Sequence, residues 1–387
     1  MNKVLEAVRN GNPLYVIPYK EHKVWGVGGI GEYWYGAETG GKSSLAKAGD
    51  ETVPLVDIVS FAPEDFLGKE VVARFGMKLP LVKILTPKGR LSVQFHDKKN
   101  ELWVVTGIDE ASARGEAKIV LGFHINAIRN YGANVGWRYK EALEKYGSAL
   151  NALIDLMEYK GHKDLLKEKG NVISAAREID DAEVQKYLKD LNSSGYELES
   201  FYNYRPVKIG DVIPISSGTL HALGPGVEVV EPQIPGPTQS MEDGATYPVR
   251  YYFPGYERGG VKKELDIFRA GEINADVPRE EEPETIHRTD SATIERLPGR
   301  FESKGLEVHR ITIVPLGGEL KVTESRSFHN FVAVSGQAAL YAGEKRFEMP
   351  KAIAGGEMMI LPATSSDFKI VAEEPGTQVI DTFSPTG

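Results

Sequence analysis

The 387-residue sequence predicts a mostly β fold carrying one α-helical insert. Three observations predict it. Short apolar runs are cut by Gly, Pro and Asp over residues 24–122 and again over 306–383. Apolar residues recur at helical spacing between Trp137 and Leu191. Strands and helices do not alternate along the chain, which argues against a doubly wound parallel sheet. The 41 Gly and 22 Pro supply the turns that so many short strands need.

In chain order, strand-like runs fall at 32–35, 53–59, 82–85, 91–96, 102–106 and 117–123. Leu143, Tyr146, Leu150, Leu153 and Met157 then share one helical face, and Val184, Tyr187 and Leu191 repeat the pattern. Strand-like runs return at 207–215 and 227–230. The stretch 232–260 is rich in Pro and Gly and reads as one long loop of the functional kind. The acidic run 279–284 reads as a solvated linker. This divides the chain into a discontinuous β domain (1–135 and 201–262), a helical insert (136–200), a linker (263–304) and a C-terminal β domain (305–387).

A net charge of −9 without a basic block argues against a nucleic-acid partner. The absence of Cys excludes disulfides and thiolate chemistry, so a metal must use His, carboxylate or amide oxygen. With no sustained apolar segment near the N-terminus and no apolar run of about 18 residues, the sequence reads as a soluble cytoplasmic protein without a membrane partner.

Two glycine motifs match nucleotide-binding patterns but lack their context. Gly36 to Ser43 fits the P-loop, yet the following Leu45-Ala46-Lys47-Ala48 meets Gly49-Asp50 within a turn, leaving no helix to face phosphate. Gly26 to Gly31 fits a dinucleotide fingerprint, but an aromatic strand, Glu32-Tyr33-Trp34-Tyr35, follows it. A turn between strands is expected there.

The chemistry concentrates in residues 91–103. On a strand, Ser92, Gln94 and His96 share one face while Val93 and Phe95 take the other. Asp97 to Asn100 is a four-residue turn candidate that would set Glu101 opposite His96. An amide, an imidazole and a carboxylate on one face suit a divalent metal with mixed N and O ligands. His221, between turn residues in Ser217-Gly218-Thr219-Leu220-His221, is the best further donor.

These segments resemble the metal-binding segments of type I phosphomannose isomerases, a family of zinc-dependent cupins: Gln94-Phe95-His96, Glu101-Leu102-Trp103 and Gly218-Thr219-Leu220-His221-Ala222-Leu223-Gly224. Further similarity lies in Val24-Trp25-Gly26, Gly31-Glu32-Tyr33-Trp34, Leu79-Pro80-Leu81-Val82-Lys83, Pro206 to Val212, and Leu361-Pro362-Ala363. The resemblance implies a metal-binding N-terminal cupin barrel and a second, C-terminal barrel. It implies one Zn2+ per chain held by Gln94, His96, Glu101 and His221. It also implies Lys83, Glu231 and Arg250 as catalytic residues and Arg258 as a second, substrate-binding cation; Ser92, on the metal face, is placed to add a hydrogen bond to the phosphate. The implied activity is interconversion of mannose 6-phosphate and fructose 6-phosphate by proton transfer through an enediolate, in a monomer or homodimer.

The proton carrier stays open among Lys83, Glu231 and a metal-bound water. Arg250 suits the enediolate or the phosphate, since guanidinium forks match oxyanions. Two alternatives stand beside the isomerase. His96, Glu101 and His221 also make a two-His-one-carboxylate set able to hold Fe(II) for oxygenase chemistry. A non-catalytic sugar-phosphate-binding cupin is the other.

Overall fold

A computed structural model of the chain describes residues 2–37, 42–89, 91–94, 99–169, 171–234, 281–299, 301 and 304–386. The first half contributes β1 (Leu14–Ile17), β2 (Tyr19–Val27), β3 (Ile30–Tyr35), β4 (Leu45–Ala48), β5 (Glu51–Pro54), β6 (Leu81–Leu85), β7 (Glu101–Ile108) and β8 (Lys118–Phe123). After the helical insert come β9 (Tyr202–Pro206), β10 (Val212–Ile215), β11 (His221–Leu223) and β12 (Val227–Gln233). The second half adds β13 (Glu284–Arg288), β14 (Ala292–Arg296), β15 (Glu307–Ile313), β16 (Glu319–Val322) and β17 (His329–Ser335). It ends with β18 (Ala338–Ala342), β19 (Lys345–Glu348), β20 (Met358–Leu361), β21 (Phe368–Ala372) and β22 (Thr377–Phe383).

Six strands form a sheet in the order β10-β7-β12-β6-β3-β2, and its two faces serve different cores. Alternation along β7 explains the division: Trp103 and Val105 point into a core shared with β8, β10, β11 and the helices, while Leu102 and Val104 point into a second core. That second core joins them to Phe328, Val332, Ile360 and Ile380 of the C-terminal half. A sheet covered on both faces has continuously buried strands, as β6 is throughout its length.

The helical insert forms as its spacing dictates. In the 25-residue helix Val135–Tyr159, Tyr139, Leu143, Tyr146, Leu150, Leu153 and Met157 are all buried. The partner helix Ala182–Glu199 starts at Asp181, whose carboxylate accepts from the Glu183 and Val184 amides. The Tyr139 and Tyr202 hydroxyls meet at 3.1 Å and join the insert to β9.

The Gly26–Gly31 motif is the hairpin that its sequence context demands. Gly28 and Gly29 have φ of +60° and +85°, as a two-residue turn between β2 and β3 needs. Ser43 and Ser44 lead directly into β4, so no helix follows the P-loop-like stretch.

Three segments differ from the sequence reading. Residues 53–59 split into the end of β5 and the helix Leu55–Phe61, which buries Leu55, Ile58 and Val59. A short apolar run is compatible with either element, and packing decides. Residues 284–288 and 292–296, read as linker, pair as strands β13 and β14. Finally, β1, β4 and β5 extend a nine-stranded sheet, β13-β14-β15-β22-β17-β20-β1-β4-β5, built otherwise from C-terminal strands. The expected boundary at 305 is therefore crossed by hydrogen bonds between β1 and β20.

Candidate active site

One face of the six-stranded sheet gathers the polar residues. Glu101 opens β7 opposite Gln233 of β12, and Lys83 of β6 lies between Glu231 on β12 and Trp34 on β3. Directly opposed residues share a face, so the register alone brings Glu101, Gln233, Glu231, Lys83 and Trp34 together.

His221 approaches from the three-stranded sheet β11-β8-β9. Gly218, at φ +82°, turns the chain after β10, and the Thr219 amide donates to the Ser216 carbonyl at 3.0 Å. A Cβ at Gly224 would lie 2.1 Å from the Lys118 carbonyl oxygen, which explains the glycine closing this motif. His221 and Gln94 exchange backbone hydrogen bonds of 2.8 and 2.9 Å. The described partner of Gln94 is thus β11; the expected turn at Asp97 to Asn100 lies partly outside the described residues.

The His221 ring is oriented from both ends. Nδ1 donates to the Thr219 carbonyl at 2.8 Å, and Nε2 lies 3.0 Å from Glu101 Oε1. Trp103 packs edge-on to the ring at 5.5 Å between centroids. His221 and Glu101 are each 1% exposed.

Charges alternate away from this pair. Lys99 contacts Glu101 and lies 3.4 Å from Glu231 Oε1. Lys83 lies 3.4 Å from the same Glu231 oxygen and 3.6 Å from Glu32, which Lys23 also approaches at 3.4 Å. Indole N–H groups hold the carboxylates: Trp103 donates to Glu231 Oε2 at 3.0 Å, and Trp34 to Glu32 Oε2 at 2.8 Å. The Lys83 ammonium also sits 5.0 Å from the Trp34 ring centroid.

These neighbours set the protonation states. Burial opposes charge on Glu32, but Lys83, Lys23 and the Trp34 N–H outweigh it and bring the carboxyl down to about 2. Burial opposes the Lys83 ammonium, yet Glu231 and Glu32 reverse this and raise it above the ordinary lysine value. Glu231 moves the other way for a carboxylate: burial raises it, and the charge of Glu101 adds to the effect. Two carboxylates of one buried site, Glu32 and Glu231, therefore have environments that shift their proton affinities in opposite directions.

The structure brings together five of the residues expected from sequence: Gln94, Glu101, His221, Lys83 and Glu231. Ser92 is buried two residues before Gln94, without a hydrogen bond to these groups among the described residues. His96, Arg250 and Arg258 lie outside the described residues. Sequence reasoning missed Lys99, Glu32, Trp34 and Trp103, although Lys99 and Trp103 share the parity of Glu101. It also placed Gln233 in a loop. Gln233 is 0% exposed, with neither amide atom hydrogen-bonded among the described residues, at a cost on the order of 1–3 kcal/mol per group.

The donors suit zinc. A borderline-soft dication accepts imidazole nitrogen and carboxylate oxygen, and two ligands of a tetrahedral zinc lie roughly 3.3 Å apart. The 3.0 Å between His221 Nε2 and Glu101 Oε1 matches that spacing. The Thr219 carbonyl supplies the outer contact that fixes a ligating histidine's tautomer. Among the described residues no three His, Asp or Glu side chains form a metal group; the third acidic or imidazole donor expected from sequence is His96.

The same arrangement of strands occurs in proteins of known structure. Mannose 6-phosphate isomerase from Bacillus subtilis superposes with a TM-score of 0.62 at 19% identity, covering 96% of this chain and 99% of that one. The fold is that of the phosphomannose isomerases. A second match is the Salmonella typhimurium mannose 6-phosphate isomerase bound to fructose 6-phosphate and zinc, with TM-score 0.60, 15% identity, and 96% and 100% coverage. In sequence, the mannose-6-phosphate isomerase of Streptococcus mutans is 28% identical over 181 residues. That match covers 43% of this chain, and the chain spans about half (49%) of that relative's length. No protein-family model matches the chain. The expectation of a cupin-type, mostly β fold with inserted helices agrees with the phosphomannose-isomerase fold. Among the described residues no helix is long and apolar enough to cross a membrane.

Proposed function

We propose that this chain is a zinc-dependent aldose-ketose isomerase interconverting mannose 6-phosphate and fructose 6-phosphate. The observation that carries the reading is His221 Nε2 facing Glu101 Oε1 at 3.0 Å beside a buried Lys83–Glu231 pair: metal donors next to a proton-handling pair. The name of the Streptococcus mutans relative and the zinc and fructose 6-phosphate of the Salmonella structure support it.

In this reading Gln94, His96, Glu101 and His221 hold one zinc per chain, which supplies Lewis-acid polarisation of the sugar oxygens. Glu231 takes the proton from C2 of the aldose and returns it to C1 of the enediolate, while the C2 hydroxyl proton passes to the oxygen on C1, so that C1 becomes the alcohol and C2 the carbonyl of the ketose. Its raised proton affinity suits a group that must hold a proton between the two steps. Lys83, kept as an ammonium by Glu231 and Glu32, stabilises developing oxyanion charge. Arg250 pairs with the enediolate or the phosphate, while Arg258 and Ser92 contact the phosphate.

Among the described residues Glu21, Glu32, Glu101 and Glu231 are matched by Lys23, Lys42, Lys83 and Lys99, so in this reading the charges of the metal, Arg250 and Arg258 are what would attract a phosphate monoester dianion. We further read a cytoplasmic monomer or homodimer without nucleic-acid or membrane partners.

The test is deuterium exchange at C2 of mannose 6-phosphate in D2O with bound metal quantified. We expect exchange with about one zinc per chain, loss on chelation and recovery with zinc. A zinc-loaded chain that exchanges no hexose 6-phosphate overturns the reading. Oxygen uptake by an iron-loaded chain would replace it with the oxygenase.

A further inference from the structure

We infer that Gln233 reads a sugar hydroxyl in this site and thereby sets which hexose phosphate is accepted; the inference rests on the proposed isomerase reading. Gln233 is directly opposite Glu101 across β12 and β7, and shares a face with Glu231, two residues before it. Its position is anchored on both sides by pairing with Leu81 and Glu101, and by the Ile234 amide donating to the Asn100 carbonyl at 3.1 Å. The side chain is fully buried, and neither Nε2 nor Oε1 has a hydrogen-bond partner among the described residues.

A buried amide without partners forfeits its solvation at both ends, whereas a methionine or leucine of similar volume would fill the same space without that penalty. An amide offers one acceptor oxygen and two N–H donors and carries no charge. A hydroxyl, itself donor and acceptor, is the ligand group that satisfies both ends at once. The charged neighbours are engaged in ion pairs with one another, which leaves Gln233, a neutral amide without a partner among the described residues, suited to an uncharged part of the substrate. Sites that pair a buried polar group with a substrate hydroxyl discriminate strongly against analogues lacking it.

The test compares the zinc-loaded wild type with Gln233→Met and Gln233→Glu on mannose 6-phosphate and on its 3-deoxy and 4-deoxy analogues. The expected result for Gln233→Met has four parts: zinc per chain unchanged, a melting temperature equal to or above wild type, KM for mannose 6-phosphate raised roughly tenfold or more, and loss of the wild type's discrimination against one deoxy analogue. An unchanged KM and unchanged discrimination overturn the inference. So does loss of zinc or a lowered melting temperature in both variants, which would make Gln233 a metal donor or a packing residue. A wild-type chain that neither turns over nor binds hexose 6-phosphates by calorimetry removes the isomerase reading itself; an active wild type with an indifferent Gln233→Met removes this inference alone.

Discussion

Each half of the molecule buries a histidine against a carboxylate, and the two pairs are nearly equal in length. His221 and Glu101 meet at 3.0 Å, and His329 and Asp381 at 2.9 Å. The other ring nitrogen and the surroundings distinguish them. His329 holds Asp381 with Nδ1 and the Ser325 hydroxyl with Nε2 at 2.7 Å, stacks on Phe331, and touches the rings of Phe368 and Phe383. Its surroundings are aromatic, and among the described residues no series of ammonium–carboxylate pairs adjoins it. His221 has Nδ1 fixed on a carbonyl and Nε2 turned into a site lined by three glutamates and three lysines. A histidine–carboxylate distance therefore says little by itself; the surroundings of the pair distinguish the proposed metal ligand, His221, from the His329 clamp.

The largest effect should come from breaking the first pair. His221→Ala should lower isomerisation by more than roughly 100-fold, the upper effect of losing an outer partner of a metal ligand, and zinc should not restore it; an active variant would make His221 the structural member of the comparison. Glu231→Gln should retain zinc yet lower kcat by about 10²–10⁴-fold, the range for a general base. Since the environment of Glu231 raises its proton affinity, wild-type kcat should fall on acidification at a higher pH than for an ordinary carboxylate base. His329→Ala should do the reverse of His221→Ala, leaving Asp381 buried and costing about 3 kcal/mol of stability with kcat unchanged below the melting transition. A loss of turnover in folded His329→Ala would couple the two halves. The smallest effect concerns Glu32. Its folded carboxyl is lowered from 4.5 to about 2, so the stability it contributes is fully present above about pH 4.5 and is lost as pH falls towards 2. Acid titration of Glu32→Gln should show a shallower loss across that window than wild type.

Local patterns carried most of the strands and the whole helical insert, because parity and helical spacing are properties of neighbouring residues. Glu101, His221, Gln94, Lys83 and Glu231 were legible because chemically distinctive residues stand beside turn glycines or in the resemblance-bearing segments. Lys99 was read as part of a polar turn; only the register that pairs β7 with β12 brings its ammonium to Glu231. Gln233 was hidden by the prolines on either side of it, although Pro232 sits within a paired strand. The pairing of β1 with β20 was beyond any local signal, since Leu14 and Ile360 are far apart in sequence and meet only through tertiary packing.

That pairing makes the order of synthesis matter. Strands β1 and β4 leave the ribosome long before β20, so one edge of β1 keeps its amides and carbonyls without their final partners until residues 358–361 have been made. Final assembly is correspondingly non-local and slow. A nascent chain stalled before residue 358 would expose a sticky strand edge, the natural target for a chaperone or for a neighbouring copy on the same polysome.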